Sequence, residues 1–111
     1  MPALGRPVRG SQTGRPIMVA LDVLGRRWCL RILWELRAGP LGFRPLQARC
    51  DGMSSSVLQQ RLIELTDHRL IAKLDDGDYA LTTMGAELGE AIHPLEQWSQ
   101  RWLETLLQPE E

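Results

Sequence analysis

The chain has 111 residues, 43% hydrophobic and 24% charged. That is the profile of one globular domain, too rich in Leu, Ile and Val for a disordered chain. No apolar run is long enough to span a bilayer and no signal-type stretch opens the chain, so a cytoplasmic protein without membrane contact is expected; two cysteines, Cys29 and Cys50, are too few for a disulfide framework. The net charge of −1 hides a split: residues 1–73 carry 12 basic and five acidic groups, net +7, while residues 74–111 carry one basic and nine acidic groups, net −8, a polarity suited to a polyanion on one face only.

Residues 1–15 place Arg6, Arg9 and Arg15 among Gly and Pro with no acid and no apolar period, and a flexible arm is expected there. The domain proper is expected over 16–107, with a short tail at 108–111. Pro16 suits the first turn of a helix that carries Ala20, Leu21 and Leu24 and stops at Gly25. A second helix is expected over about 26–38, with Cys29, Ile32, Leu33 and Leu36 on one face and Gly39-Pro40 as its stop.

A short helix fits 43–50, with Pro45 in its first turn and Leu46 inward. Asp51-Gly52 is turn chemistry. The next helix, 54–68, has Ser54 as N-cap. Residues 70–74 and 79–82 read as two strands joined through Asp75-Asp76-Gly77-Asp78, a hairpin signal. The remainder reads as helix. Leu88, Ile92, Leu95, Ser99, Trp102 and Leu106 recur at four- and three-residue steps, a seam of coiled-coil type, and Pro94 is expected to kink or break it.

The order is that of a helix-turn-helix followed by a hairpin: a mainly α fold with a small β wing, a winged helix-turn-helix. The second helix of such a pair enters the DNA major groove. At 100° per residue from Leu58, Leu62 and Leu65 fall within about 40° of it, while Ser56, Gln59, Gln60 and Ile63 fall between about 100° and 200°. The outward face is therefore uncharged: the hydroxyls of Ser54, Ser55 and Ser56, then two amides, then Ile63. Gln pairs bidentately with adenine, Ser bonds bases or phosphate, and Ile63 suits a thymine methyl. Arg44 and Lys73 are the natural phosphate contacts. Arg61, beside the buried stripe, either reaches phosphate or braces the fold through Glu35 or Asp22.

Several motifs resemble the HxlR-type winged-helix regulators of bacteria, which share architecture with the MarR group. They are Leu21-Asp22-Val23-Leu24-Gly25-Arg26-Arg27-Trp28, Phe43-Arg44-Pro45-Leu46, Leu58-Gln59-Gln60-Arg61-Leu62-Ile63-Glu64-Leu65 and Leu81-Thr82-Thr83-Met84-Gly85. The resemblance implies a homodimer on double-stranded DNA, joined through its terminal helices by Leu21, Leu88, Ile92, Leu95, Trp98, Trp102 and Leu106. It also implies control of a nearby gene in response to a small molecule or redox signal. Trp98 and Trp102 read as dimer core rather than a ligand cage, and a small effector pocket near Trp28, Trp34 and Trp98 is left open. Some family members sense oxidants at a Cys-Pro pair before the first helix; here that pair is Arg15-Pro16. Arg69 stands where the family places Gly, which points to a positive φ. The wing carries Asp75, Asp76 and Asp78 instead of Arg or Lys and is expected to stand clear of DNA.

No metal or cofactor site is expected. A Ca²⁺ loop starting at Asp75 would need Glu at its twelfth position, which is Ala86. His68 and His93 lack ligand spacing, and no nucleophile–base arrangement suggests an enzyme. Cys29 reads as core; Cys50 ends a short helix beside Arg49, a setting in which a thiol can be reactive, and whether it senses redox is left open. The expected function is sequence-specific transcriptional regulation, as a repressor on a pseudo-palindromic operator. The alternative is a winged-helix protein-interaction module without DNA binding.

Overall fold

The computed structural model describes residues 15–109. Five helices and one hairpin follow in the order α1 (Pro16–Leu24), α2 (Cys29–Leu36), α3 (Phe43–Arg49), α4 (Ser55–Asp67), β1 (Ile71–Lys73), β2 (Tyr79–Leu81) and α5 (Thr83–Leu107). The fold is mainly helical with a small antiparallel wing, as expected. The arm at 1–14 and the last two residues of the tail lie outside the described residues.

The core is one apolar cluster. Cys29, Ile32, Leu33 and Leu36 of α2 share it with Leu58, Leu62 and Leu65 of α4, Leu46 of α3 and Ile71 of β1. Among the described residues no polar or charged side chain is fully buried. The apolar stripes predicted for α2 and α4 are the buried ones.

The second helix starts later than its periodicity suggests. Trp28 has φ 78°, a left-handed conformation that ends the turn after α1 and lets α2 begin at Cys29, not at residue 26. Arg26 N–H bonds the Val23 carbonyl and Cys29 N–H bonds the Arg26 carbonyl, so 25–28 is a tight turn. The helix then stops at Leu36, two residues short of the expected end.

Two helix ends share one device. At the end of α3, Gly52 N–H bonds the Gln47 carbonyl and Asp51 N–H bonds that of Ala48. At the end of α4, Leu70 N–H bonds the Leu65 carbonyl and Arg69 N–H bonds that of Thr66. Both are Schellman ends, which need a left-handed residue at the position after the cap. Asp51 (φ 58°) and Arg69 (φ 60°) fill it. Arg69 thus adopts the positive φ that its place in the sequence suggested.

The hairpin pairs Ile71 with Leu81, Ala72 with Ala80 and Lys73 with Tyr79. Leu74 N–H bonds the Asp78 carbonyl and Gly77 N–H bonds the Leu74 carbonyl, which leaves Asp75-Asp76-Gly77 as a three-residue loop. Gly77, at φ 93°, supplies its left-handed residue. Leu41 bridges to Tyr79 and extends the hairpin edge.

Thr82 caps α5 by accepting the Gly85 N–H and donates its own hydroxyl to the Arg69 carbonyl at 2.7 Å. Gly85 packs so closely that a Cβ there would overlap the Leu70 carbonyl oxygen. The helix runs unbroken through Pro94 to Leu107. Proline removes one N–H from the ladder; Pro94 and Glu90 are both exposed, so water can satisfy the freed carbonyl.

Candidate nucleic-acid interface

The site is built on α3, α4 and the turn between them. Ser54, at φ −61° and ψ 145°, is the N-cap of α4, and its Oγ accepts the Val57 N–H at 3.2 Å. Its hydroxyl hydrogen is not used in that bond. Gln47 of α3 donates to the Met53 carbonyl at 2.8 Å and to Ser55 Oγ at 3.0 Å. The Ser55 hydroxyl hydrogen is not used in that bond. Sequence reasoning missed Gln47; a polar residue on a short helix beside a Ser-rich cap was the only available signal.

Ser54, Ser55, Ser56, Gln59, Gln60 and Ile63 are all exposed. Ile63 is 49% exposed, in contrast to its helix neighbours Leu62 and Leu65. Arg44 is exposed in the first turn of α3, and Lys73 is exposed at the base of the wing, with Nζ 5.8 Å from the Tyr79 ring. The N-terminal half of α4 therefore presents hydroxyl, amide and methyl groups without charge.

Arg61 points elsewhere. Its Nε donates to the Arg27 carbonyl at 2.8 Å, and NH1 bonds both Glu64 oxygens at 2.9 and 3.1 Å. The bracing partners are Glu64 and the turn after α1, not Glu35 or Asp22. Glu35 pairs with Arg31 at 2.8 Å instead. Arg31 also reaches Asp51 at 3.3 Å and the Arg49 carbonyl at 2.7 Å, tying α2 to the end of α3.

Glu64 collects three donors: Arg61, Gln60 Nε2 at 3.2 Å and Arg26 NH1 at 3.5 Å. Burial works against its charge, but the bond from Gln60 and the charges of Arg61 and Arg26 outweigh it and hold the carboxyl below its ordinary range. Arg26 in turn bonds Asp22 of α1 at 3.0 Å.

The wing is less uniformly acidic on its outer side than its sequence suggests. Asp75 and Asp76 are exposed at the tip, and Asp76 Oδ1 accepts the Asp78 N–H. Asp78 is half-buried: a Cβ on Gly42, the N-cap of α3, would meet its Oδ1 at 3.1 Å.

The three tryptophans have separate partners. Trp34 lies under the Arg37 guanidinium at 3.7 Å, Trp28 is stacked by Arg27 at 5.7 Å, and Trp98 stacks on Trp102 at 5.4 Å and 13°. A groove of about 490 Å³ lies instead between α1 and the first half of α5. Val19, Val23, Leu70, Met84 and Leu88 line it, with His68 and Glu87 as its polar members. Leu88 is only partly exposed because it also packs on its own core. Leu21, Leu95, Trp98, Trp102 and Leu106 remain between 47% and 60% exposed.

Cys50 is shielded despite its neighbour Arg49. Both cysteines are fully buried, and burial raises both thiols above their ordinary value. Among the described residues no cluster of His, Cys, Asp and Glu could hold a metal ion, and no helix is long and apolar enough to cross a membrane.

Residues 23–106 match the model of the HxlR-like helix-turn-helix family. The uncharacterized HTH-type transcriptional regulator MJ0925 of Methanocaldococcus jannaschii is 35% identical over 86 residues, covering 74% of this chain and 80% of that protein. The uncharacterized HTH-type transcriptional regulator YvaP of Bacillus subtilis is 26% identical over 91 residues, covering 77% and 84%. Among solved structures, quinone-bound YodB from B. subtilis superposes with a TM-score of 0.72 at 28% identity, covering 78% of this chain and 97% of that one.

Proposed function

The chain belongs to the HxlR-like helix-turn-helix family, a class of non-enzymatic DNA-binding transcriptional regulators, and on that premise we propose that it represses a gene by binding a pseudo-palindromic operator as a homodimer. The outward face of α4, uncharged from its cap through Ile63, carries this reading. Surface helices normally hold Glu and Lys outward; α4 holds Ser54, Ser55, Ser56, Gln59, Gln60 and Ile63 there. These groups match base edges and methyls in the major groove. Arg44 and Lys73 supply phosphate contacts, and Arg61 fixes the helix that reads.

The second protomer covers the exposed apolar residues of α1 and α5, namely Leu21, Leu95, Trp98, Trp102 and Leu106, with Ile92 and Leu88 at the edge of the seam. Two α4 helices then address half-sites about one turn, roughly 10 bp, apart. YodB has been solved with a quinone bound. For this chain, an effector of small-ring size finds room in the groove between α1 and α5.

The test is selection from random duplex DNA, followed by titration of the selected sequence at two salt concentrations. A palindromic sequence bound with a steep salt slope supports the proposal. The exposed carboxylates Asp75 and Asp76 at the wing tip favour the alternative, a protein-interaction module. A folded dimer that enriches no sequence would favour that alternative, or a regulator that binds DNA only with its effector.

A further inference from the structure

We propose that Glu64 is a positioning residue for base readout: it sets which end of the Gln60 amide faces DNA. This rests on the reading of α4 as the base-reading helix. The Glu64 side chain is only 17% exposed and is gripped from two elements. Arg61 holds it from α4 itself, and Arg26 holds it from the turn after α1, where Asp22 fixes Arg26 in turn. The carboxylate is therefore a fixed acceptor. Its remaining donor is Gln60 Nε2, at 3.2 Å.

A free Gln side chain has three torsions and two flip states, and ordering it costs affinity. An ionised carboxylate accepts but cannot donate. It admits the NH₂ end of Gln60 and repels the carbonyl end, so one flip state is selected. One N–H is used on Glu64. The second N–H and the carbonyl oxygen stay available, the adjacent donor and acceptor that adenine N7 and N6–H₂ require. The chain Asp22–Arg26–Glu64–Gln60 thus runs from α1, whose Val19 and Val23 line the apolar groove, to an amide on the reading face.

The experiment uses the full chain and its own selected duplex, with every base pair varied in turn. Glu64→Gln keeps the shape but presents a donor as well as an acceptor to Gln60. At the pair read by Gln60, discrimination should fall about tenfold. Elsewhere in the site it should be unchanged. Binding to random duplex should hold or tighten, because a negative charge near DNA is removed. Adding Gln60→Ala should then cost no further discrimination. Glu64→Asp keeps the charge but retracts it from Gln60 and the arginines alike, and should show the same local loss, with the melting temperature reporting how much of the brace is lost. Equal losses at all positions and on random duplex would reduce Glu64 to a structural brace and overturn the proposal. Unchanged discrimination in either folded variant would also overturn it. A wild-type protein with no sequence preference would overturn the reading of α4 itself, an outcome visible before any variant is made.

Discussion

Gln47 donates its side-chain amide to the Met53 carbonyl oxygen at 2.8 Å, and that bond sets the turn between α3 and α4. Met53 is buried and directly precedes the Ser54 cap. Gln47→Ala would leave the Met53 carbonyl without this partner and release Ser55 Oγ. The expected loss is about 1–2 kcal/mol of unfolding free energy, measured by urea denaturation, together with weaker binding to the selected duplex. Gln47→Glu should be no better, since a carboxylate cannot donate to a carbonyl.

Gly85→Ala should be among the more damaging small substitutions in the chain. The added methyl would overlap the Leu70 carbonyl oxygen, a backbone atom that no rotamer change can move. A loss of about 2–3 kcal/mol is expected. Gly89→Ala, one turn further along α5 with nothing within 4 Å of its Cβ position, should be neutral or stabilising by up to about 1 kcal/mol. Thermal or urea unfolding of the two variants side by side gives the comparison.

Gln60→Ala and Arg44→Ala should separate base readout from phosphate contact. Gln60→Ala is expected to weaken specific binding by about 1–3 kcal/mol and spare random duplex. Arg44→Ala should weaken both and lower the salt slope by about one. Titrations at two salt concentrations check both; an equal loss on random duplex would remove Gln60 from readout.

The protein should be weakened at both ends of the pH scale, for different reasons. Burial raises the Cys29 and Cys50 thiols, so the unfolded chain ionises first as pH rises and stability falls above the ordinary thiol range. The Glu64 carboxyl is held low by its three donors, against burial, so its contribution is present at neutral pH. That contribution is lost as pH falls below the ordinary carboxylate range and through the lowered value. Unfolding curves across pH test this, with Glu64→Gln expected to flatten the acid limb. A thiol reagent at neutral pH should label neither cysteine until the protein unfolds.

Much of the fold was legible because burial and periodicity agree. Leu58, Leu62 and Leu65 share a face by spacing alone, and Ser54 announces its cap. The start of α2 was not legible, because nothing in the residue type of Trp28 signals a left-handed backbone. Pro94 does not break α5, because its effect depends on exposure, which sequence does not display. The outward face of α4 followed from helical geometry. The roles of Gln47 and Glu64 did not, since each depends on where a second element places its partner. The groove was missed because α1 and α5 are far apart in the chain, whereas the tryptophans drew attention to themselves.

The close seating of Gly85 on Leu70 has a mechanical consequence. The first turn of α5 and the root of the wing have no slack between them, and Thr82 is bonded to Arg69 across the same joint. The 25 residues of α5 form an arm about 37 Å long. A tilt of about 5° imposed at its far end is a displacement of about 3 Å there. The near end is seated on the hairpin through Gly85 and Thr82, so a tilt carried along the helix bears on the joint with the wing.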